Sequence, residues 1–136
     1  LHKEYRRQRQ MCIRDRTNLP VQHAALESLR GPQDYISEFV SELKNHRDYV
    51  IKRLNSMNNI SCSNPNGAFY AFPKIENSTY NSDKDFVLEL LKQKGVLTVH
   101  GSGFGAQYGS GHFRIVYLPN MEILESSMDK IEDFVR

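Results

Sequence analysis

The sequence predicts an α+β domain in which three to four short strands form a small mixed or antiparallel sheet covered by helices. Several long stretches carry helix-forming residues or apolar residues at helical spacing, and four short stretches are rich in β-branched and aromatic residues. Their order is two helices, two strands, a helix, two strands and a helix. A sheet with helices on one main side is the economical arrangement for this order.

The two leading helices are predicted from "LPVQHAALESLR" and from the 26 residues that begin at Pro32. Gly31 is expected to end the first helix in the left-handed conformation, and Pro32 is expected to open the second. The second helix has an apolar stripe at helical spacing, which we expect to form one buried face. Its members are Ile36, Phe39, Val40, Leu43, Val50, Leu54 and Met57.

The strands are predicted in "ISCS", "AFYAFPKI", "VLTVH" and "HFRIVYL". The proline of the second stretch is expected to close its strand or to lie at a sheet edge. Ser82 and Asp85 have the spacing of a capping box and place a helix start there, and Gly95 ends that helix. Asn120 is expected to cap the last helix. The buried faces of these two helices are predicted to contain Phe86, Val87, Leu90 and Leu91 in one, and Met121, Leu124, Met128, Ile131 and Val135 in the other.

Charge separates the first sixteen residues from the rest of the chain. Residues 1–16 carry six Lys and Arg against two acids, whereas residues 17–136 carry 12 basic and 14 acidic side chains. The tail resembles a translated sequencing-adapter junction in "QMCIRDR", so we expect it to be non-native and residues 17–136 to form the domain. A basic arm that binds nucleic acid is the alternative.

The sequence gives no indication of a membrane or secreted protein. No apolar run approaches the roughly 18–20 residues that cross a bilayer, and the first ten residues lack the apolar core of a secretory signal. Two cysteines, Cys12 and Cys62, offer neither a disulfide framework nor metal-ligand spacing. We therefore expect a reducing, cytoplasmic setting and no membrane partner.

Arg114 is the leading candidate for a binding residue, because it places a permanent charge inside the apolar run "HFRIVYL". Burying an unpaired guanidinium is costly. One interpretation is a structural ion pair with a neighbouring acid. The other is a planar fork that binds a carboxylate or phosphate of a ligand through two parallel hydrogen bonds.

The glycine-rich segment "GSGFGAQYGSG" precedes Arg114 and is the next candidate. A dinucleotide-binding loop needs a helix on its glycines, and a phosphate loop needs a lysine, and neither pattern is present. We expect a flexible connection between strands, or a loop that leaves room over an active site. The flanking residues His100 and His112 lack a third ligand at suitable spacing, so no metal site is predicted. Cys62 is expected in the core, and Tyr70 either in the sheet or facing a ligand.

These segments, in this order, resemble the C-terminal part of a class I/II aminotransferase, a fold-type I enzyme that depends on pyridoxal 5′-phosphate. The resemblance rests on "NPNGAFYAFPKI", "LLKQKGVLTVHGSGFG" and "GHFRIVYLPNMEILESSMDKI". "AALESLRGPQDY" and "RDYVIKRLNSM" are similar to prokaryotic aspartate aminotransferases. The resemblance covers residues 17–136 and implies the smaller domain of the enzyme, which can close over bound substrate.

The resemblance implies that Arg114 binds the substrate α-carboxylate. It also implies transfer of an amino group between an amino acid and a 2-oxo acid, in an enzyme that is commonly a homodimer. The family often has "PGS" where this chain has "HGS", so His100 is a departure that bears on the shape of the loop.

No catalytic or cofactor-binding residue is predicted in this chain. The lysine that holds the cofactor, the aspartate under its ring and the phosphate ligands are expected upstream, in a part of the protein that the chain lacks. Lys44, in the loose S-x-x-K of "SELK", lies on the polar side of a helix and is not expected to hold the cofactor. The alternative function is a non-catalytic α+β module that binds a small carboxylate ligand.

Overall fold

The computed structural model describes residues 17–76 and 80–136, so the predicted tail at 1–16 lies outside the described residues. The chain divides into two compact units between Phe39 and Val40. Within the described ranges, no helix is long and apolar enough to cross a membrane. The α+β class is confirmed, with short antiparallel strands and helices in the predicted order.

Helix α1 spans Leu19–Arg30 in the first unit and buries none of its residues. The Asn18 side chain caps it by accepting a hydrogen bond from the Val21 amide, and Pro20 lies in its first turn. The left-handed stop predicted at Gly31 is wrong, because Gly31 has an extended backbone with φ −70° and ψ 179°. The following proline explains this, since it drives the residue before it toward extended conformations.

Helix α2 spans Asp34–Ser56 and crosses from the first unit into the second. It begins two residues after Pro32, so the expectation that this proline opens the helix is wrong. The predicted buried stripe is correct only in its second half, where Val50, Leu54 and Met57 are buried. Leu43 is half-buried against the core, and the apolar residues before it are exposed, namely Ile36, Phe39 and Val40. Helical spacing identifies an apolar face but not whether another element covers it.

Within the described residues, five short strands form two small sheets rather than one. Strand β1 (Ile60–Ser61) pairs antiparallel with β3 (Lys74–Ile75), and β5 (Phe113–Val116) pairs antiparallel with both β2 (Tyr70–Ala71) and β4 (Val99–His100). The strand predicted in "AFYAFPKI" ends before its proline as β2, as expected, because proline cannot donate to a strand ladder. The two residues after Pro73 form a separate strand, β3, which was not predicted.

Helix α3 spans Asp83–Lys94 and is capped as predicted. The Ser82 hydroxyl oxygen accepts a hydrogen bond from the Asp85 amide at 3.1 Å, and Gly95 ends the helix with φ +69°. The predicted buried face is correct at three positions, but Leu91 is exposed.

The segment between β4 and β5 is more ordered than the predicted loop. It forms a 3-10 turn at Gly101–Phe104 and a one-turn helix, α4, at Ala106–Gly109. Helix α5 spans Met121–Val135, and the Asn120 side chain caps it as predicted by accepting from the Ile123 amide.

One hydrophobic cluster in the second unit joins α2, α3, α5 and the sheets. Phe86 of α3 lies 5.1 Å from Phe113 of β5, ring centroid to ring centroid, and 5.3 Å from Phe134 of α5. Tyr117, which follows β5, is buried and donates its hydroxyl to the Ala68 carbonyl at 3.0 Å. The core face of the three-stranded sheet is thus covered, and its opposite face carries Arg114.

Candidate functional site

Arg114 is the second residue of β5 and lies on the face of the three-stranded sheet opposite the core. Side chains alternate along a strand, so Phe113 and Ile115 enter the core while Arg114 and Val116 take the other face. The antiparallel register places Val99 opposite Arg114 and Tyr70 opposite Val116. The guanidinium therefore lies among exposed or half-buried apolar and aromatic side chains.

The guanidinium of Arg114 is held by aromatic rings. Its Cζ lies 4.7 Å from the centroid of the Tyr70 ring and 4.4 Å from the centroid of the Phe104 ring. A guanidinium over an aromatic face is attracted by the negative potential of the ring. Tyr70 thus takes a place in the sheet and also contacts the predicted binding residue.

The hydrogen-bonding capacity of Arg114 is not used up inside the protein. Its Nε is buried and has no hydrogen-bond partner, and no ion pair within residues 17–76 and 80–136 includes it. Arg47 and Arg53, by contrast, both pair with carboxylates. A partly buried arginine without an acidic partner in the described residues is able to pair with an anionic ligand.

The glycine-rich segment is shaped by a close approach of its own backbone. A Cβ at Gly101 or at Gly109 would overlap the carbonyl oxygen of the other residue, so only glycine fits at either position. The Gly101 amide also donates to the His112 carbonyl at 2.8 Å. At these two positions the glycines allow backbone packing rather than leave space for a ligand.

A buried carboxylate fixes the start of this segment. Asp83, in the first turn of α3, accepts a hydrogen bond from the Ser102 amide at 2.7 Å. Burial is the largest single influence on the pKa of Asp83 and raises it, but the hydrogen bonds from Ser102, together with the Asp83 amide and His100, outweigh burial and hold the pKa below its usual value. Asp83 therefore remains charged and ties α3 to the segment that carries Phe104.

The two histidines flanking the segment make separate contacts. His100 Nδ1 lies 3.0 Å from the Ser102 hydroxyl, and the His100 ring borders Gly103. The His112 ring stacks on Phe72 at 5.1 Å. Among the described residues, no group of three potential ligands is placed to hold a metal ion.

The remaining candidates lie away from Arg114. Cys62 is buried, as predicted, and its amide donates to the Asn55 side chain at 2.8 Å; burial raises the pKa of its thiol. Lys44 is exposed on α2. Neither residue contributes to the open face of the sheet.

Sequence reasoning missed Phe104 and Asp83. An aromatic residue in a glycine-rich segment was a weak signal for Phe104, since its contact with Arg114 depends on how the segment folds back. Asp83 follows the first residue of the capping box and was read only as part of the helix start. No local pattern indicates that it accepts a hydrogen bond from a backbone amide nineteen residues away.

Comparison with known proteins identifies the class to which this fold and site belong. A family model for aminotransferase class I and II matches residues 5–130, and the chain belongs to that family. The matched range includes most of the predicted tail, whose non-native origin stays a prediction.

Solved structures and curated relatives agree with this assignment. An alanine aminotransferase from Pyrococcus furiosus superimposes with a TM-score of 0.86 and 53% identity, over 93% of this chain and 32% of that one. Glutamate-pyruvate aminotransferase AlaA of Haemophilus influenzae is 40% identical over 123 residues, and a probable aspartate/prephenate aminotransferase of Rhizobium leguminosarum is 38% identical. The matches cover 87% and 84% of this chain but 30% of either relative, so the chain spans less than a third of their length.

Proposed function

We propose that this chain supplies the arginine that binds the substrate carboxylate in an aminotransferase. The whole enzyme depends on pyridoxal 5′-phosphate and transfers an amino group between an amino acid and a 2-oxo acid. Family membership supports the reaction class. The observation that carries the role of the chain is Arg114, whose guanidinium lies against two rings, has an unpaired Nε and lacks an ion pair among the described residues.

The same arginine can bind the substrates of both halves of this reaction. An amino acid and its 2-oxo acid differ at the α-carbon but share the α-carboxylate, so the same bidentate pair with Arg114 binds donor and acceptor. Two parallel hydrogen bonds also fix rotation about the bond to the carboxylate. The bound substrate is thereby oriented at its reacting carbon, which is the contribution that positioning makes to catalysis.

The described residues do not by themselves fit the cofactor. Pyridoxal phosphate needs a lysine amine in an enclosed site, whereas the described lysines are exposed or paired with acids. Lys74 pairs with Glu76, and Lys94 pairs with Asp133. We place the cofactor-binding lysine in the part of the relatives that this chain does not span, where the cofactor would supply electron withdrawal from the substrate.

The domain and assembly follow the family resemblance. Residues 17–136 form the smaller domain of the enzyme on this proposal, and the whole enzyme is a homodimer. Light scattering of the protein made from the intact reading frame tests the dimer, and a monomeric mass would overturn it.

Activity of the protein from the intact reading frame tests the role of Arg114. Two charge-assisted hydrogen bonds contribute about 1.5–3 kcal/mol each, so Arg114→Met should lower kcat/KM about 10²- to 10⁴-fold for amino donor and 2-oxo acid alike. Arg47→Met, which removes an arginine of α2, is the matched control and should leave kcat/KM within twofold.

The outcomes separate the alternatives. Unchanged kcat/KM in Arg114→Met would overturn the assignment. Carboxylate binding without amino transfer in the intact protein would favour the non-catalytic module. Borohydride treatment of the 136-residue chain with pyridoxal phosphate should leave no single lysine modified, and one stably reduced lysine would place the cofactor site in this chain.

A further inference from the structure

We infer that Phe104 and Tyr70 form an aromatic clamp that positions Arg114 for carboxylate binding, with Phe104 as a positioning residue of the site. The inference rests on the proposed function, because it concerns the same guanidinium. The two rings approach Arg114 from different parts of the fold, Tyr70 from strand β2 and Phe104 from the 3-10 turn at Gly101–Phe104.

Contact with the two rings uses none of the hydrogen-bond donors of the guanidinium. A planar guanidinium is attracted to aromatic rings through its face, whereas all five N–H bonds lie in its plane. An internal carboxylate would hold the same group in place by occupying two of those donors. The rings therefore restrict the side chain, while Nη1 and Nη2 have no hydrogen-bond partner among the described residues and can donate to an incoming carboxylate. Restricting the side chain in advance lowers the ordering cost of binding.

Tyr70 is fixed by the sheet. It pairs with Val116 in the register of β2 and β5, and its ring packs against Phe69 at 4.5 Å between centroids. The next residue, Ala71, is buried in the core, which anchors the strand. Tyr70 thus offers a fixed surface to Arg114.

Phe104 is held less by its own side chain than by the turn that bears it. Its ring is 52% exposed and meets Phe72 edge-on at 6.1 Å. The turn is tied to α3 by Asp83 through the Ser102 amide, and the Gly105 amide donates to the Ser102 carbonyl at 3.3 Å. The position of the Phe104 ring is therefore set by backbone contacts outside the sheet.

Carboxylate binding to the 136-residue chain tests the clamp directly. Pyruvate is titrated while the Arg114 Nε–H signal is followed by nuclear magnetic resonance. A cation–π contact contributes a factor of about 2 to 30, so Phe104→Leu should weaken pyruvate binding by that factor. Phe104→Tyr keeps the ring and should bind within twofold of the wild type.

A second aromatic of the same segment provides the matched control. Tyr108 is 80% exposed on α4, and no aromatic or cation contact of the described residues includes it. Tyr108→Leu should leave pyruvate binding unchanged. In the cofactor-loaded intact protein, Phe104→Leu should raise KM for both acids by more than it lowers kcat, which a general loss of folded protein would not do.

The outcomes distinguish the clamp from the function on which it rests. If pyruvate binding is unchanged in Phe104→Leu but lost in Arg114→Met, the clamp is overturned, whereas carboxylate binding by Arg114 stands. Equal weakening in Phe104→Leu and Phe104→Tyr would also overturn it, because the ring would not be the active feature. Unchanged binding in Arg114→Met would overturn both.

Discussion

The two faces of the three-stranded sheet use alternate residues of the same strands for different purposes. On the core face, Ala71, Phe113 and Ile115 are buried against the helices of the second unit. On the opposite face, Arg114 and Val116 lie one residue away along the same strand and remain partly accessible. Neighbouring positions of β5 therefore separate the residues that stabilise the core from the residue for which we propose ligand binding.

Energetics explains why the faces differ. Burial of an apolar side chain contributes about 25 cal/mol per Å² removed from water, which stabilises the core face in the absence of any ligand. The open face leaves Arg114 with a buried Nε that has no hydrogen-bond partner, which costs free energy. One face stabilises the fold, and the other carries the arginine for which we propose a carboxylate ligand.

The largest effect is expected on the core face. Phe113 is fully buried against Phe86, so Phe113→Ala should lower the free energy of unfolding by about 3–5 kcal/mol in urea denaturation. Val116→Ala, on the open face of the same strand, should lower it by less than about 1 kcal/mol. Equal losses in the two variants would break the comparison.

A smaller effect is expected where the open face is anchored to α3. Asp83→Asn should lower the free energy of unfolding by about 1–3 kcal/mol at pH 7, because the charged acceptor of the Ser102 amide is lost. The pKa of Asp83 is lowered in the folded protein, so its contribution is full above the unfolded pKa of about 3.9 and is lost as the pH falls through the folded value.

Unfolding measured at pH 7 and pH 2.5 checks this sign. The difference between the wild type and Asp83→Asn should shrink at the lower pH. Glu38→Gln, which removes an exposed carboxylate of α2, is the control and should differ from the wild type by no more than about 0.5 kcal/mol at pH 7. A difference for Asp83→Asn that grows in acid would show that the carboxylate is not held in its charged form.

The smallest effect is expected for a polar substitution on the open face. Val99 faces Arg114 across the strand pair and is partly exposed, so Val99→Thr should change the free energy of unfolding by about 0.5 kcal/mol or less. Ile115→Thr buries a hydroxyl in the core and should cost about 1–3 kcal/mol. Thermal unfolding of the two variants compares the open face with the core face. A lower unfolding temperature for Val99→Thr than for Ile115→Thr would contradict the comparison.

Local features were predictable from the sequence, and contacts between distant segments were not. The caps at Ser82, Gly95 and Asn120 depend on residues within one helical turn, so the pattern alone located them. The division of "AFYAFPKI" depends on which neighbour each half pairs with. Phe39 is exposed because no element of residues 17–76 and 80–136 covers it, and helical spacing does not report such coverage.

The same distinction applies to the candidate site. A charge within an apolar strand made Arg114 visible, and its role in substrate binding stays a prediction. The contact between Phe104 and Arg114 could not be predicted from the sequence. Phe104 reaches Arg114 through a turn whose shape depends on Asp83, a residue of another element.

The contact between Gly101 and Gly109 has a consequence for how the protein can vary. Those two backbones touch and close residues 101–109 into a loop that tolerates no side chain at its junction. Gln107 and Tyr108 inside the loop, and Ser110 just after it, are exposed. Substitution at these exposed positions should therefore leave the path of the backbone unchanged, whereas any side chain at either junction glycine would force the loop open.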